Sequence, residues 1–203
     1  GVVTYYGRGN LYVNLLEDVN GDGKLEIFCS RKTSTYEGII YVYDWQGNLI
    51  KSFTRNVAND GSIAARAVID QNGEKFVLVS IESAYGANPR GASLFNYTSG
   101  QEVWYYAAGT AFPLTMDDLD GDGKLEISSY WYTVNNGANG CGTGSDTCTD
   151  DHSTYILIIN EYGQEVLTML TPDDSPDNGN AYTYVTDLDN DGEKELLVLH
   201  THS

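Results

Sequence analysis

The sequence predicts an all-β fold: a propeller-like array of about four antiparallel four-stranded units, the last one incomplete. Three observations carry that expectation. The 203 residues include 16 tyrosines and 22 glycines, a balance of strand formers and turn formers, and no stretch holds a helical period. An acidic decapeptide recurs along the chain, and a glycine-containing hairpin pattern follows each of its first three copies.

The first element is the strand-like run Val2-Val3-Thr4-Tyr5-Tyr6. A first unit spans about 8–56. In it a strand over Leu11–Leu16 leads into Asp18-Val19-Asn20-Gly21-Asp22-Gly23-Lys24-Leu25-Glu26-Ile27, and a second strand runs over Leu25–Cys29. Ile40-Tyr41-Val42-Tyr43-Asp44, then Gly47, then Leu49-Ile50 reads as a second hairpin. The next unit, about 57–109, holds a decayed acidic copy, Asp70-Gln71-Asn72-Gly73-Glu74-Lys75-Phe76-Val77, which is read as lacking the residues for positions 5 and 9 and is expected to bind nothing. Its second hairpin runs from Ser93–Asn96 through Gly100 to Val103-Trp104.

The third unit, about 110–171, repeats the motif as Asp118-Leu119-Asp120-Gly121-Asp122-Gly123-Lys124-Leu125-Glu126-Ile127. Its second hairpin joins Leu157–Asn160 to Val166-Leu167. Residues 134–153 interrupt it as an inserted loop. The last unit, about 172–203, carries Asp187-Leu188-Asp189-Asn190-Asp191-Gly192-Glu193-Lys194-Glu195-Leu196 and only one hairpin. Motif starts at 18, 70, 118 and 187 give spacings of 52, 48 and 69, the size of a propeller blade. Three expectations stay open for the unfinished unit: residues 2–6 complete it within the chain, they complete a neighbour and so build a filament, or the chain is part of a longer propeller.

Charge narrows the function classes. A net charge of −18, from 29 acidic and 11 basic residues, repels phosphate backbones and anionic membrane surfaces. Nucleic-acid binding and membrane insertion are therefore not expected, and no run of about 18 apolar residues is present. The chain starts at Gly1 without an apolar leader, which reads as a mature or excised product. Cys141 and Cys148 lie seven apart in a small polar stretch, and a disulfide between them would imply an oxidising compartment, extracellular or at the cell surface. Cys29 reads as a small buried hydrophobe. Asn96-Tyr97-Thr98 is a possible glycosylation sequon, as frequent by chance as by use.

The acid recurs with the alternation that a hard cation needs. Calcium takes six to eight oxygens, and positions 1, 3 and 5 of such a loop turn toward one concavity while position 7 offers its carbonyl. The expected sets are Asp18, Asn20, Asp22, the Lys24 carbonyl and Glu26; Asp118, Asp120, Asp122, the Lys124 carbonyl and Glu126; and Asp187, Asp189, Asp191, the Glu193 carbonyl and Glu195. An EF-hand would need a bidentate Glu at position 12 and flanking helices, but Cys29, Ser129 and Val198 stand there. With an acid at position 9 in all three copies, the loops resemble those of FG-GAP/VCBS-type propeller repeats, known from integrin α-subunits and many secreted bacterial proteins. That resemblance implies loops joining two strands of a blade and a structural role for about three calcium ions.

Catalysis has little support. His152, His200 and His202 are the only histidines, and no nucleophile elbow or phosphate-cradling loop is found. The units also look similar to the blades of propeller-type rhamnogalacturonan lyases, so a fragment of a polysaccharide-degrading enzyme is the third expectation. Ahead of it stand a non-catalytic, calcium-binding extracellular structural subunit, self-assembling through strand donation, and an adhesive, lectin-like module. Trp45, Trp104, Trp131 and the tyrosines read first as cover for sheet faces and seams, and second as platforms for sugar rings.

Overall fold

The computed structural model describes residues 11–31, 36–57, 61–82, 89–108, 112–130, 155–170 and 180–201. Residues 2–6, the inserted loop with Cys141, Cys148 and His152, Trp131 and His202 lie outside that set. The described residues form strands and turns without helix, so the all-β expectation holds. The chain divides into two compact units, Gly1–Tyr105 and Tyr106–Ser203.

The first unit begins with β1 (Leu11–Glu17), β2 (Glu26–Arg31), β3 (Glu37–Tyr43) and β4 (Leu49–Asn56), which form one antiparallel sheet in chain order. A second sheet follows in the same order: β5 (Ser62–Gln71), β6 (Glu74–Glu82), β7 (Gly91–Asn96) and β8 (Glu102–Ala107). Alternation sorts the side chains. Phe28, Ile40, Val42 and Phe53 share one face of the first sheet and are buried together with Ile63, Ala65, Val79, Ile81 and Phe95 of the second. The contact is made by β5, which lies across β1, β2 and β3. Burying each of these large apolar side chains contributes roughly 1.5–3 kcal/mol, so this seam is the main source of stability in the unit.

The second unit repeats the plan. A four-stranded sheet runs β9 (Phe112–Asp117), β10 (Glu126–Tyr130), β11 (Tyr155–Ile159) and β12 (Glu165–Leu170), and β13 (Asn180–Thr186) pairs with β14 (Glu195–Thr201). Here β13 lies across β9, β10 and β11, as β5 does across β1, β2 and β3. Ser128 of β10 and Thr183 of β13 meet at this seam, their hydroxyls 3.4 Å apart. Cys29 is buried on β2, as expected of a small apolar side chain.

Candidate metal centres in three acidic loops

Each acidic decapeptide connects the first two strands of its sheet, and each folds by the same local rules. The position-1 carboxylate sits at the mouth of the loop and gathers the backbone N–H groups that the turn leaves unpaired. Asp18 accepts from Gly21 N at 2.8 Å, Asp22 N at 3.1 Å and Gly23 N at 2.8 Å. Asp118 accepts from Gly123 N at 3.0 Å, and Asp187 from Asp191 N at 3.2 Å and Gly192 N at 3.0 Å. The position-3 side chain accepts from the position-5 N–H: Asn20 from Asp22, Asp120 from Asp122 and Asp189 from Asp191. Position 5 accepts from the position-7 N–H, so Asp22, Asp122 and Asp191 hold Lys24, Lys124 and Glu193.

Two positions in every loop adopt the left-handed conformation. They are Gly21 and Gly23, Gly121 and Gly123, and Asn190 and Gly192, all with φ between 60° and 96°. Position 6 was legible as a turn glycine. Position 4 obeys the same constraint, and Asn190 fills it because asparagine tolerates this region better than other side chains.

The acid at position 9 is a clasp. Oε2 of Glu26, Glu126 and Glu195 accepts from the N–H of Val19, Leu119 and Leu188 respectively, each at 2.8 Å, and so ties the second strand to the start of the loop. Glu26 is only 2% exposed and Glu126 only 6%. Among the described residues neither has a Lys or Arg partner; Oε1 of Glu26 accepts from Asn20 Nδ2 at 3.0 Å. A carboxylate so withdrawn from water carries a desolvation penalty that its N–H donors offset in part and a nearby positive charge would offset further.

Folding brings together Asp118, Asp120 and Asp122, and separately Asp187, Asp189 and Glu195, with one oxygen of each within 4.8 Å of the others in its group. The donor set is oxygen throughout, which suits a hard divalent cation. In the loop of residues 118–126, Oδ1 of Asp118 is buried without a hydrogen-bond partner, whereas its counterpart on Asp18 accepts two N–H groups. An anionic oxygen left without a donor in this carboxylate cluster fits coordination to a hard cation.

Lysines partly offset the charge. Lys124 Nζ lies 2.9 Å from Asp122 and 3.8 Å from Glu161. Its hydrogen bond to Asp122 raises the lysine pKa and lowers that of the aspartate. Lys24 Nζ stands 4.0 Å from Asp22 and 5.4 Å from the centre of the Trp45 ring. Lys194 pairs with Asp117 on the strand before its neighbouring loop.

The decayed copy takes another path. β5 turns straight into β6 through Asn72 and Gly73, with φ of 56° and 84°, the signature of a two-residue type I′ hairpin. Asp70 accepts from Gly73 N at 2.8 Å and pairs with Lys75 at 2.8 Å. Its acid serves a tight turn.

Other candidates fall elsewhere. Asn96 accepts from Ser99 N at 2.7 Å and donates to Glu74 at 2.5 Å, so its amide helps to shape the turn after β7. His200 lies on β14 and Trp104 on β8, while Trp45 is exposed. The pattern in the sequence did not single out Arg55. Its guanidinium lies 4.0 Å from the Tyr105 ring centre, donates to Ser93 Oγ at 3.1 Å and pairs with Glu102. A lone arginine on an otherwise alternating strand was the available signal. In comparisons with known proteins, the chain matches no family model and no curated protein sequence.

Proposed function

We propose that the chain is a non-catalytic, calcium-binding structural module of the extracellular space, its sheets arranged as the blades of a propeller-like array of the FG-GAP/VCBS type. The observations that carry this reading are the repeated clasp, a position-9 carboxylate buried in two of three copies, and the convergence of Asp118, Asp120 and Asp122 in one loop and of Asp187, Asp189 and Glu195 in another. Asp18, Asn20, Asp22 and Glu26, with their counterparts at 118–126 and 187–195, would hold the ions, and the Lys24, Lys124 and Glu193 carbonyls would complete them. A bound ion supplies the positive charge that the buried carboxylates require. At a calcium concentration about 100 times Kd, each site adds about 2.7 kcal/mol of stability. Two or three such sites are comparable to the whole stability of a domain.

Calorimetric titration with calcium tests the reading. The wild-type chain should bind about three ions, and the double variant Asp118→Asn, Asp187→Asn about one. Chelator should lower the wild-type Tm sharply. An unchanged Tm in chelator, with no heat of binding, would sink the proposal.

The exposure of Trp45 and Tyr162, both on second-hairpin turns, supports a second reading as a glycan-stacking adhesive module. Binding to a glycan array that is lost in Trp45→Ala would favour it.

A further inference from the structure

The three acidic loops share their ligand positions but differ in the charge on the side chain of position 7, which is Lys24, Lys124 or Glu193. Lys124 Nζ donates to Asp122 Oδ2 at 2.9 Å, so an ammonium already holds one of the carboxylates proposed for the ion. Lys24 Nζ is 4.0 Å from Asp22 Oδ2, beyond hydrogen-bond reach, and lies 5.4 Å from the centre of the Trp45 ring. In the third loop the lysine moves one residue on, to position 8, and Lys194 pairs with Asp117 at the end of β9. The tethered cation grips its loop in one copy, stands off it in another, and gives way to an acid in the third.

The second hairpin of the same sheet supplies the lysine's other neighbour. Asp44 of the β3–β4 turn and Asn160 of the β11–β12 turn accept the same pair of backbone N–H groups, so the residues that follow them, Trp45 and Glu161, are counterparts. Each faces the position-7 lysine of its own sheet. Trp45 offers an exposed ring, whereas Glu161 is a carboxylate only 7% exposed, its Oε1 3.8 Å from Lys124 Nζ. Lys124 thus stands between two carboxylates, Asp122 on the loop and Glu161 on the hairpin.

We propose that the position-7 side chain sets the calcium affinity of its loop, with Lys124 a tethered competitor that an incoming ion moves from Asp122 to Glu161. This rests on the calcium-binding reading above and adds an order of affinity to it. An ion that takes Asp122 must break the Lys124 hydrogen bond and then stand beside a positive charge. Glu161 receives the displaced ammonium, so the lysine keeps a partner in both states. The 118–126 and 187–195 loops allow the comparison, because Asp118, Asp120, Asp122 and Glu126 match Asp187, Asp189, Asp191 and Glu195 type for type. The first loop differs also at Asn20. With Glu193 in place of the lysine, the 187–195 loop binds calcium more tightly than the 118–126 loop. The Lys124 and Asp122 side chains are 51% and 42% exposed, and at such exposure one ion pair shifts affinity by about three- to fivefold.

The test is calcium titration of the full-length chain in competition with a chromophoric chelator, which resolves the stepwise binding constants. Lys124→Met should leave the number of bound ions unchanged and tighten one site about three- to fivefold. Adding Asp118→Asn should abolish that gain, which places it in the 118–126 loop. Glu193→Lys should weaken another site by a similar factor. Glu161→Gln should weaken the site that Lys124 controls, and this loss should vanish in the Lys124→Met background. A carboxylate that acted only by its own charge would weaken calcium binding equally in both backgrounds. Lys124→Gln repeats the first arm should Lys124→Met lower the Tm in saturating calcium. Unmoved constants in the lysine variants, or an equal effect of Glu161→Gln with and without Lys124, would overturn this proposal alone and leave the calcium sites standing. A wild-type chain that binds no calcium would overturn both.

Discussion

A methyl group at residue 38 would stand 2.9 Å from Ile63 Cγ2 and 3.2 Å from the Ile63 backbone nitrogen. Gly38 is buried on β3 where β5 crosses it, so its missing side chain sets how closely the two sheets approach. The backbone of Ile63 cannot yield as a flexible side chain could. Gly38→Ala should therefore cost about 1–3 kcal/mol, read as a lower urea midpoint with unchanged slope. An unaltered midpoint would mean that the seam is looser than the geometry indicates. Nothing near Gly38 in the chain announces this role, because the constraint comes from a residue 25 positions away. The clasp was half legible: an acid at position 9 was visible in Glu26, Glu126 and Glu195, but its bond to the position-2 N–H follows only from the closed loop.

At the scale of elements, the second hairpins share one device. Asp44 accepts from Gln46 N at 2.9 Å and Asn48 N at 2.8 Å, and Asn160 accepts from Tyr162 N at 3.1 Å and Gln164 N at 2.9 Å. Gly47 and Gly163 close both turns with φ of 88° and 75°. Aspartate and asparagine thus serve the same geometry, and the charge of Asp44 is an addition to it. The hydrogen bond from the Asn48 side chain, with backbone N–H groups behind it, holds the Asp44 pKa below the usual carboxylate value. A depressed folded pKa gives stability that is present above the unfolded value of about 4 and is lost as pH falls through the folded pKa. Asp44→Asn should lower the Tm slightly at pH 7 and flatten its decline below pH 4, whereas Asp44→Ala should lower the Tm further at both. Equal acid sensitivity of wild type and Asp44→Asn would refute the assignment. These hairpins were legible from strand, glycine and strand alone. The type I′ turn at Asn72-Gly73 was less legible, because that pair sits inside a decayed copy of the acidic motif.

For the whole chain, charge is the quantity that ties sequence to stability. Twelve of the 29 acidic residues lie in the three nine-residue loops, against three lysines, so these loops supply half of the net −18. That concentration made the loops legible before any fold was known. The sheet-on-sheet relation stayed hidden, since Phe28, Ser128 and Leu197 share a position but neither a residue type nor a burial. Without a bound cation, each loop holds carboxylates whose repulsion is opposed only by N–H donors and a surface lysine. Salt screens exposed charges: from about 0.01 M to about 1 M the Debye length falls from about 30 Å to about 3 Å. Sodium chloride should therefore raise the Tm of the chelator-treated chain over that range. With calcium saturating, the same salt should raise it much less, because the repulsion it would screen is already neutralised at the loops. A salt dependence of equal size in both conditions would place the destabilising charge outside the loops, and the buried clasps at Glu26 and Glu126 would then need no cation beneath them.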